Sequence, residues 1–164
     1  MPITFSDAVK TCLQKYVTLS GRASRAEFWW FYLFTVLVRI ATSILDKILF
    51  PSLGFEETGP INGITYLALL VPTITVTVRR LHDTGCPGYY IFAPLLFIAA
   101  AVTMGAFIGP MLEGLGMILI FLVAIFGIGL MFYWLVKASD PGPNKYGPNP
   151  YDPLNETNLT EVFE

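Results

Sequence analysis

Charge is scarce in this sequence. Only 13% of its 164 residues are Asp, Glu, Lys or Arg, against about a quarter in a typical soluble domain. In their place 54% are hydrophobic, and the mean hydropathy is +0.61. That balance excludes an ordinary soluble domain and points to a membrane protein. Cysteine is equally sparse. Cys12 and Cys86 lie far apart and in no CxxC pair, which excludes a disulfide scaffold. The chain holds one histidine, His82. A metal centre takes three or four ligands, and the local candidates, His82, Asp83 and Cys86, have no second histidine to join them. No metal and no cofactor are therefore expected. The formal charge of −2 leaves no nucleic-acid footprint. There is no glycine-rich phosphate loop and no serine elbow to complete a catalytic triad, so no catalytic residue is assigned. The first 27 residues hold no short apolar core with a small-residue cleavage site. The first span is thus expected to serve as its own insertion signal.

What the chain does have is long apolar runs. A helix needs about 20 apolar residues to cross a bilayer. Four stretches qualify: 28–50, 61–78, 89–109 and 117–136. Pro72 is expected to kink the second. Turn residues separate them: Pro51, Gly54, Gly59 and Pro60; Gly85, Pro87 and Gly88; Gly109, Pro110, Gly114 and Gly116. Ahead of them, Phe5, Ala8, Val9, Cys12, Leu13, Tyr16 and Val17 fall on one helical stripe, with Thr4 and Asp7 spaced to cap its start. This amphipathic helix has two possible beds, the membrane interface or the protein itself. The expected architecture is all-α: a four-helix integral membrane bundle (28–136), an amphipathic segment before it (1–27) and a Pro- and Asn-rich tail after it (137–164).

Lys and Arg set orientation. Lys10, Lys15, Arg22 and Arg25 precede the first span; Arg79 and Arg80 follow the second; Lys137 and Lys145 follow the fourth. The two other connections carry Glu56, Glu57 and Glu113 and no basic residue. Every loop or terminal cation thus falls on one side. Both termini and the 79–88 segment are expected in the cytoplasm, where both cysteines stay reduced.

Three stretches now form a set: GRASRAEFWWF at 21–31, RRLHDTG at 79–85 and PGPNKYGPNP at 141–150. Together they resemble the small bacterial inner-membrane proteins grouped as domain of unknown function 805, over roughly residues 16–150. Leu45-Asp46-Lys47 resembles a further family feature. The chain departs from the pattern at Asn149, where the family usually has aspartate. The resemblance implies an integral inner-membrane protein and no particular activity.

The polar residues fall into two groups. Arg22, Arg25, Glu27, Arg79, Arg80, His82, Asp83, Asp140, Lys145 and Tyr146 are expected to meet in a cytoplasmic cap, because antiparallel helices put these ends side by side. The cluster is either a structural clamp or a site for anions, since arginine forks take phosphate readily. Arg22 and Arg25 also adjoin Phe28, Trp29, Trp30, Phe31 and Tyr32, a composition that anchors a span at the headgroup level. Arg39 and Asp46 form the second group, inside the first span, where charge is costly. Thr73 and Thr77 are candidates to bond them across the bundle. Gly127, Gly129, Gly105 and Ala99 to Ala101 allow close helix approach. The leading expectation is a non-enzymatic membrane module that binds anionic lipid headgroups or a protein partner through its cap. Membrane lipids are its expected partners, with a second copy or another membrane protein possible. The alternatives are a small transporter or channel component using Arg39 and Asp46, and a membrane enzyme centred on His82 and Asp83.

Overall fold

The computed structural model describes residues 3–51, 59–108 and 115–151. Glu56, Glu57, Gly54, Glu113, Gly109, Pro110 and Gly114 lie outside the described residues, as does the tail beyond 151. The described residues form five α-helices and no strand: α1 (Phe5–Gln14), α2 (Arg25–Leu49), α3 (Pro60–Asp83), α4 (Ala93–Ile108) and α5 (Leu115–Val136), with a 3-10 turn at Gly88–Phe92 before α4. α2, α3, the 88–107 segment and α5 are each long and apolar enough to cross a membrane.

α1 begins where Thr4 accepts from the Asp7 amide at 3.3 Å. It packs on the protein. Ala8 and Cys12 are fully buried, and the Phe5 ring meets Trp30 and Phe34 edge-on. Leu13 and Val17, on the same stripe, remain exposed. Just beyond α1, the Tyr16 hydroxyl donates to the Ala68 carbonyl of α3. That carbonyl lies four residues before Pro72, which has no N–H to offer it. Tyr16 thus satisfies the acceptor that Pro72 orphans, a requirement in a membrane where water cannot do so.

Ser24 caps α2, accepting from the Glu27 amide at 3.1 Å. α2 then runs 25 residues, about 37 Å at 1.5 Å per residue. α3 runs antiparallel beside it. α4 and α5 form a second hairpin, in which Gly127 lies under the Phe97 side chain: a Cβ there would come within 2.5 Å of it. Gly105 does the same for Ile120, whereas Gly129 faces open space. The hairpins meet at one end. There Trp29 packs edge-on against Phe132, and Tyr90 lies 4.7 Å from Trp134 between ring centres. A buried cluster of Cys12, Ala23, Phe28, Phe31 and Val76 sits at the same end.

α3 differs from expectation at its finish. Its apolar run stops at Val78, but the helix continues through Arg79, Arg80, Leu81, His82 and Asp83. These residues are not a loop. The helix ends only when Gly85 turns left-handed, with φ of 77°, a conformation glycine adopts without a Cβ penalty.

Candidate functional site: a buried arginine cap

Helical spacing explains the cap's geometry. Arg79 and Arg80 leave α3 about 100° apart, so their guanidiniums face different neighbours. Arg79 turns toward α1 and α2. It pairs with Glu27 at 2.6 Å and points a second nitrogen at Cys12 Sγ, 3.9 Å away. Its Nε has no partner among the described residues. Burial pushes the Cys12 thiol up to about 12, with the Glu27 carboxylate adding to the effect. Cys12 is therefore a neutral thiol between two charged groups.

Arg80 turns toward α5. It pairs with Asp83 one turn on. It also donates to the carbonyls of Leu135, at 3.0 Å, and Lys137. A helix leaves its last carbonyls without intrahelical partners and carries negative potential there. Arg80 thus caps α5 from another helix. Arg22 completes the group from the turn before α2. It pairs with Asp83 at 2.9 Å and donates to the carbonyls of Gly142, at 2.6 Å, and Asp140, at 2.8 Å. Asp83 therefore serves two arginines, and it also accepts from the Ser139 hydroxyl.

The segment after α5 folds over this core. Asp140 N donates to Asp83 O at 3.0 Å. Asn144 and Gly147 exchange backbone hydrogen bonds at 3.0 Å, closing a tight turn, and Asn144 donates its side-chain amide to His82 O at 2.9 Å. The Tyr146 ring lies flat on His82, with centroids 3.8 Å apart and planes 5° from parallel. Lys145 sits 4.9 Å from the other ring centre, that of Tyr146. The remaining His82 nitrogen contact is Nδ1 with Gly21 O, at 3.2 Å.

Most of the expected cap residues thus come together, but two assignments change. Arg25 stands apart: it is exposed, on the first turn of α2, where its side chain points away from the core. It lines a groove of about 570 Å³ with Ala26, Trp29, Trp30, Leu33 and Val136. Asp140 joins through its backbone; its carboxylate meets Asn144 at 3.5 Å and no arginine. Cys12, Ser24, Ser139 and Asn144 belong to the cap although they were not among its expected residues. Ser24 was visible in principle, since Ser-x-x-Glu ahead of an apolar run is a capping pattern.

Burial decides what the cap can do. Arg79, Arg80 and Asp83 are 0% exposed, and Arg22 and Glu27 are nearly as deep. Three guanidiniums face two carboxylates; backbone carbonyls take further donors of Arg22 and Arg80, and Cys12 Sγ faces one of Arg79. The arrangement holds charge without presenting it to a ligand. The free cations lie outside it.

The second polar group also resolves differently from expectation. Asp46 does not pair with Arg39, and Thr73 and Thr77 bond carbonyls of their own helix instead. The Asp46 carboxylate reaches across to the start of α3, accepting from Ile61 N at 3.0 Å and Asn62 N at 2.8 Å. Gly59, at the N-cap of α3, offers no side chain for that task. A Cβ on Gly59 would lie 2.6 Å from Asp46 Oδ2. The missing side chain thus makes room for a cap supplied by the neighbouring helix. Arg39 is exposed, with its guanidinium 5.2 Å from the centre of the Tyr66 ring.

The family described as "Protein of unknown function (DUF805)" matches residues 16–148. The chain belongs to this family. Inner membrane protein YhaH of Escherichia coli K12 is 26% identical over 141 residues, which is 84% of this chain and 91% of that protein. Inner membrane protein YhaI of the same strain is 37% identical over 87 residues, 52% of this chain and 67% of that one. No solved structure matches. Membership of this inner-membrane family and the four apolar helices together make the chain an integral membrane protein. The family match begins beyond α1. It covers Arg22, Arg79, Arg80, Asp83 and the strand of chain that folds over them.

Proposed function

We propose that this DUF805 protein is a non-enzymatic inner-membrane module that binds an anionic lipid headgroup beside its cap, with Arg25 as the ligand-facing cation. The observation that carries this reading is the division of labour among the arginines. Arg22, Arg79 and Arg80 are buried on internal partners, and Arg25 is left exposed over the Trp29–Trp30 groove. Trp rings favour the headgroup level, and a guanidinium takes a phosphate through paired hydrogen bonds. The first turn of a helix adds favourable potential for an anion. The cap itself acts as a clamp that holds the groove's two walls, α2 and α5, in register. By the charge rule, the cap and both termini face the cytoplasm.

Two measurements test this. Bromine-labelled phosphatidylglycerol should quench the Trp fluorescence of the full chain in nanodiscs more than bromine-labelled phosphatidylcholine does. Arg25→Gln should remove that preference at unchanged melting temperature, and salt should weaken it. Equal quenching by both lipids in the unaltered protein would end the proposal. The orientation is checked separately: a cysteine at position 57 should label from outside intact cells, and a reporter fused after Lys137 should read cytoplasmic.

A further inference from the structure

At the end of α2 and α3 away from the cap, Arg39, Ser43, Lys47 and Asn62 line a groove of about 410 Å³, with Val36 and Ile40 among its apolar walls. Arg39 and Lys47 are both exposed, about 12 Å apart along α2. Neither is within ion-pair distance of a carboxylate among the described residues. Asp46, the nearest acidic residue on the same helix, is turned away to cap α3. Asn62 gives a second and independent sign. It is 3% exposed; its Nδ2 meets Ser43 Oγ, and its Oδ1 has no partner among the described residues. Oxygen and nitrogen of an amide differ little in shape. With the amide turned over, the Ser43 hydroxyl donates to Oδ1, and Nδ2 keeps two protons for a ligand. In either orientation one polar end of a buried side chain is left over in the groove.

We infer that this groove is a lipid site in the leaflet opposite the cap, taking the glycerophosphate head of an anionic phospholipid. Depth supports the choice over a small soluble anion. Lys47 and Asn62 lie within a turn of the helix ends, at phosphate level, whereas Tyr66 and the Arg39 guanidinium over it lie about 6 Å further in, counting from Asn62. A phospholipid carries acceptors at both depths, phosphate oxygens outside and ester carbonyls beneath. Its acyl chains continue along Val36 and Ile40. A free phosphate reaches only the outer layer, and it leaves Arg39 with a ring face and hydrocarbon as neighbours, a costly position for a charge.

The test is native mass spectrometry of the full-length chain titrated with phosphatidylglycerol, with phosphatidylcholine as the neutral probe. Arg39→Gln combined with Lys47→Gln should weaken one phosphatidylglycerol-binding event about tenfold, as expected for lost charge-assisted contacts. Arg25→Gln should leave that event unchanged, so this site and the groove beside the cap stand or fall separately. Should the double variant not fold, Lys47→Gln alone, at an exposed position, should weaken the event by about threefold at the unaltered melting temperature. Arg39→Lys with Lys47→Arg should preserve the event. A folded Gln variant with unchanged phosphatidylglycerol binding would overturn the inference. So would equal retention of phosphatidylcholine, or displacement of the lipid by millimolar inorganic phosphate.

Discussion

In α2 and α3, 22% and 33% of the most apolar window is buried inside the chain; in the 88–107 segment and α5 the share is 6% each. The two hairpins are similar in length, yet they are specified differently. α2–α3 carries the ion pairs, the interhelix cap at Asp46 and the packing of α1. α4–α5 carries aliphatic and aromatic side chains, and its mean hydropathy reaches 2.6 in α5 against 1.6 in α2 and α3. Lipid is as good a neighbour as protein for such side chains. The second hairpin is therefore positioned by its ends: Arg80 on the last carbonyls of α5, and the Trp29–Phe132 contact beside the cap.

The largest effect should come from Asp83. Asp83→Asn removes one carboxylate from two buried arginines and should cost about 3–5 kcal/mol, read as a large fall in folded yield and melting temperature in detergent. A double-mutant cycle sharpens the point. Arg80→Gln and Asp83→Asn should be less than additive, because one contact is removed twice. Arg79→Gln and Asp83→Asn should be close to additive, since Arg79 pairs with Glu27. Equal coupling in both cycles would mean that the two ion pairs are one undivided network.

Asp46→Leu comes next. It strips two amides of their acceptor and should cost about 1–2 kcal/mol, the scale of a lost N-cap, although lipid would favour leucine at an exposed site. Unchanged thermal stability would remove the interhelix cap from the description. A smaller effect concerns Cys12. Its thiol is raised in the folded chain from 9.0 to about 12. A raised value contributes stability that is fully present below pH 9 and lost as pH rises toward 12. Melting curves of the unaltered chain and Cys12→Ala should therefore converge across that window. At neutral pH a maleimide should label the partly exposed Cys86 well before Cys12. The smallest effect belongs to the second hairpin. Phe121 is 65% exposed, and Phe121→Leu should shift stability by no more than about 0.5 kcal/mol. A large loss there would show that α5 is held along its length.

The four spanning helices were legible because apolar run length is a one-dimensional signal. The end of α3 was not. Arg79, Arg80, His82 and Asp83 read as loop by composition, and only burial against α1, α5 and the returning tail makes helix tolerable there. The meeting of the three motifs followed from antiparallel packing. Which carboxylate serves which arginine did not, because it depends on the helical phase of Arg79 and Arg80 relative to two different neighbours. Asp46 illustrates the same limit. Gly59 and Pro60 read only as turn residues, and the cap that Asp46 supplies to α3 is visible only once α2 and α3 lie side by side. Arg25 was misplaced for a simple reason: Arg22 lies in the turn before α2, whose path carries it into the core, whereas Arg25 is already on the helix and exposed.

Arg22 finds three of its carbonyl partners 118 to 125 residues later in the chain. At about 5–20 residues per second, a ribosome needs several seconds or more to reach them. Throughout that interval the first hairpin holds Arg22 on Asp83 alone, and Arg80, paired with the same Asp83, waits likewise for the last turn of α5. Closure of the cap thus records that synthesis has passed residue 147. A chain halted before residue 140 lacks the carbonyls that cover Arg22, and a chain extended past residue 147 has them.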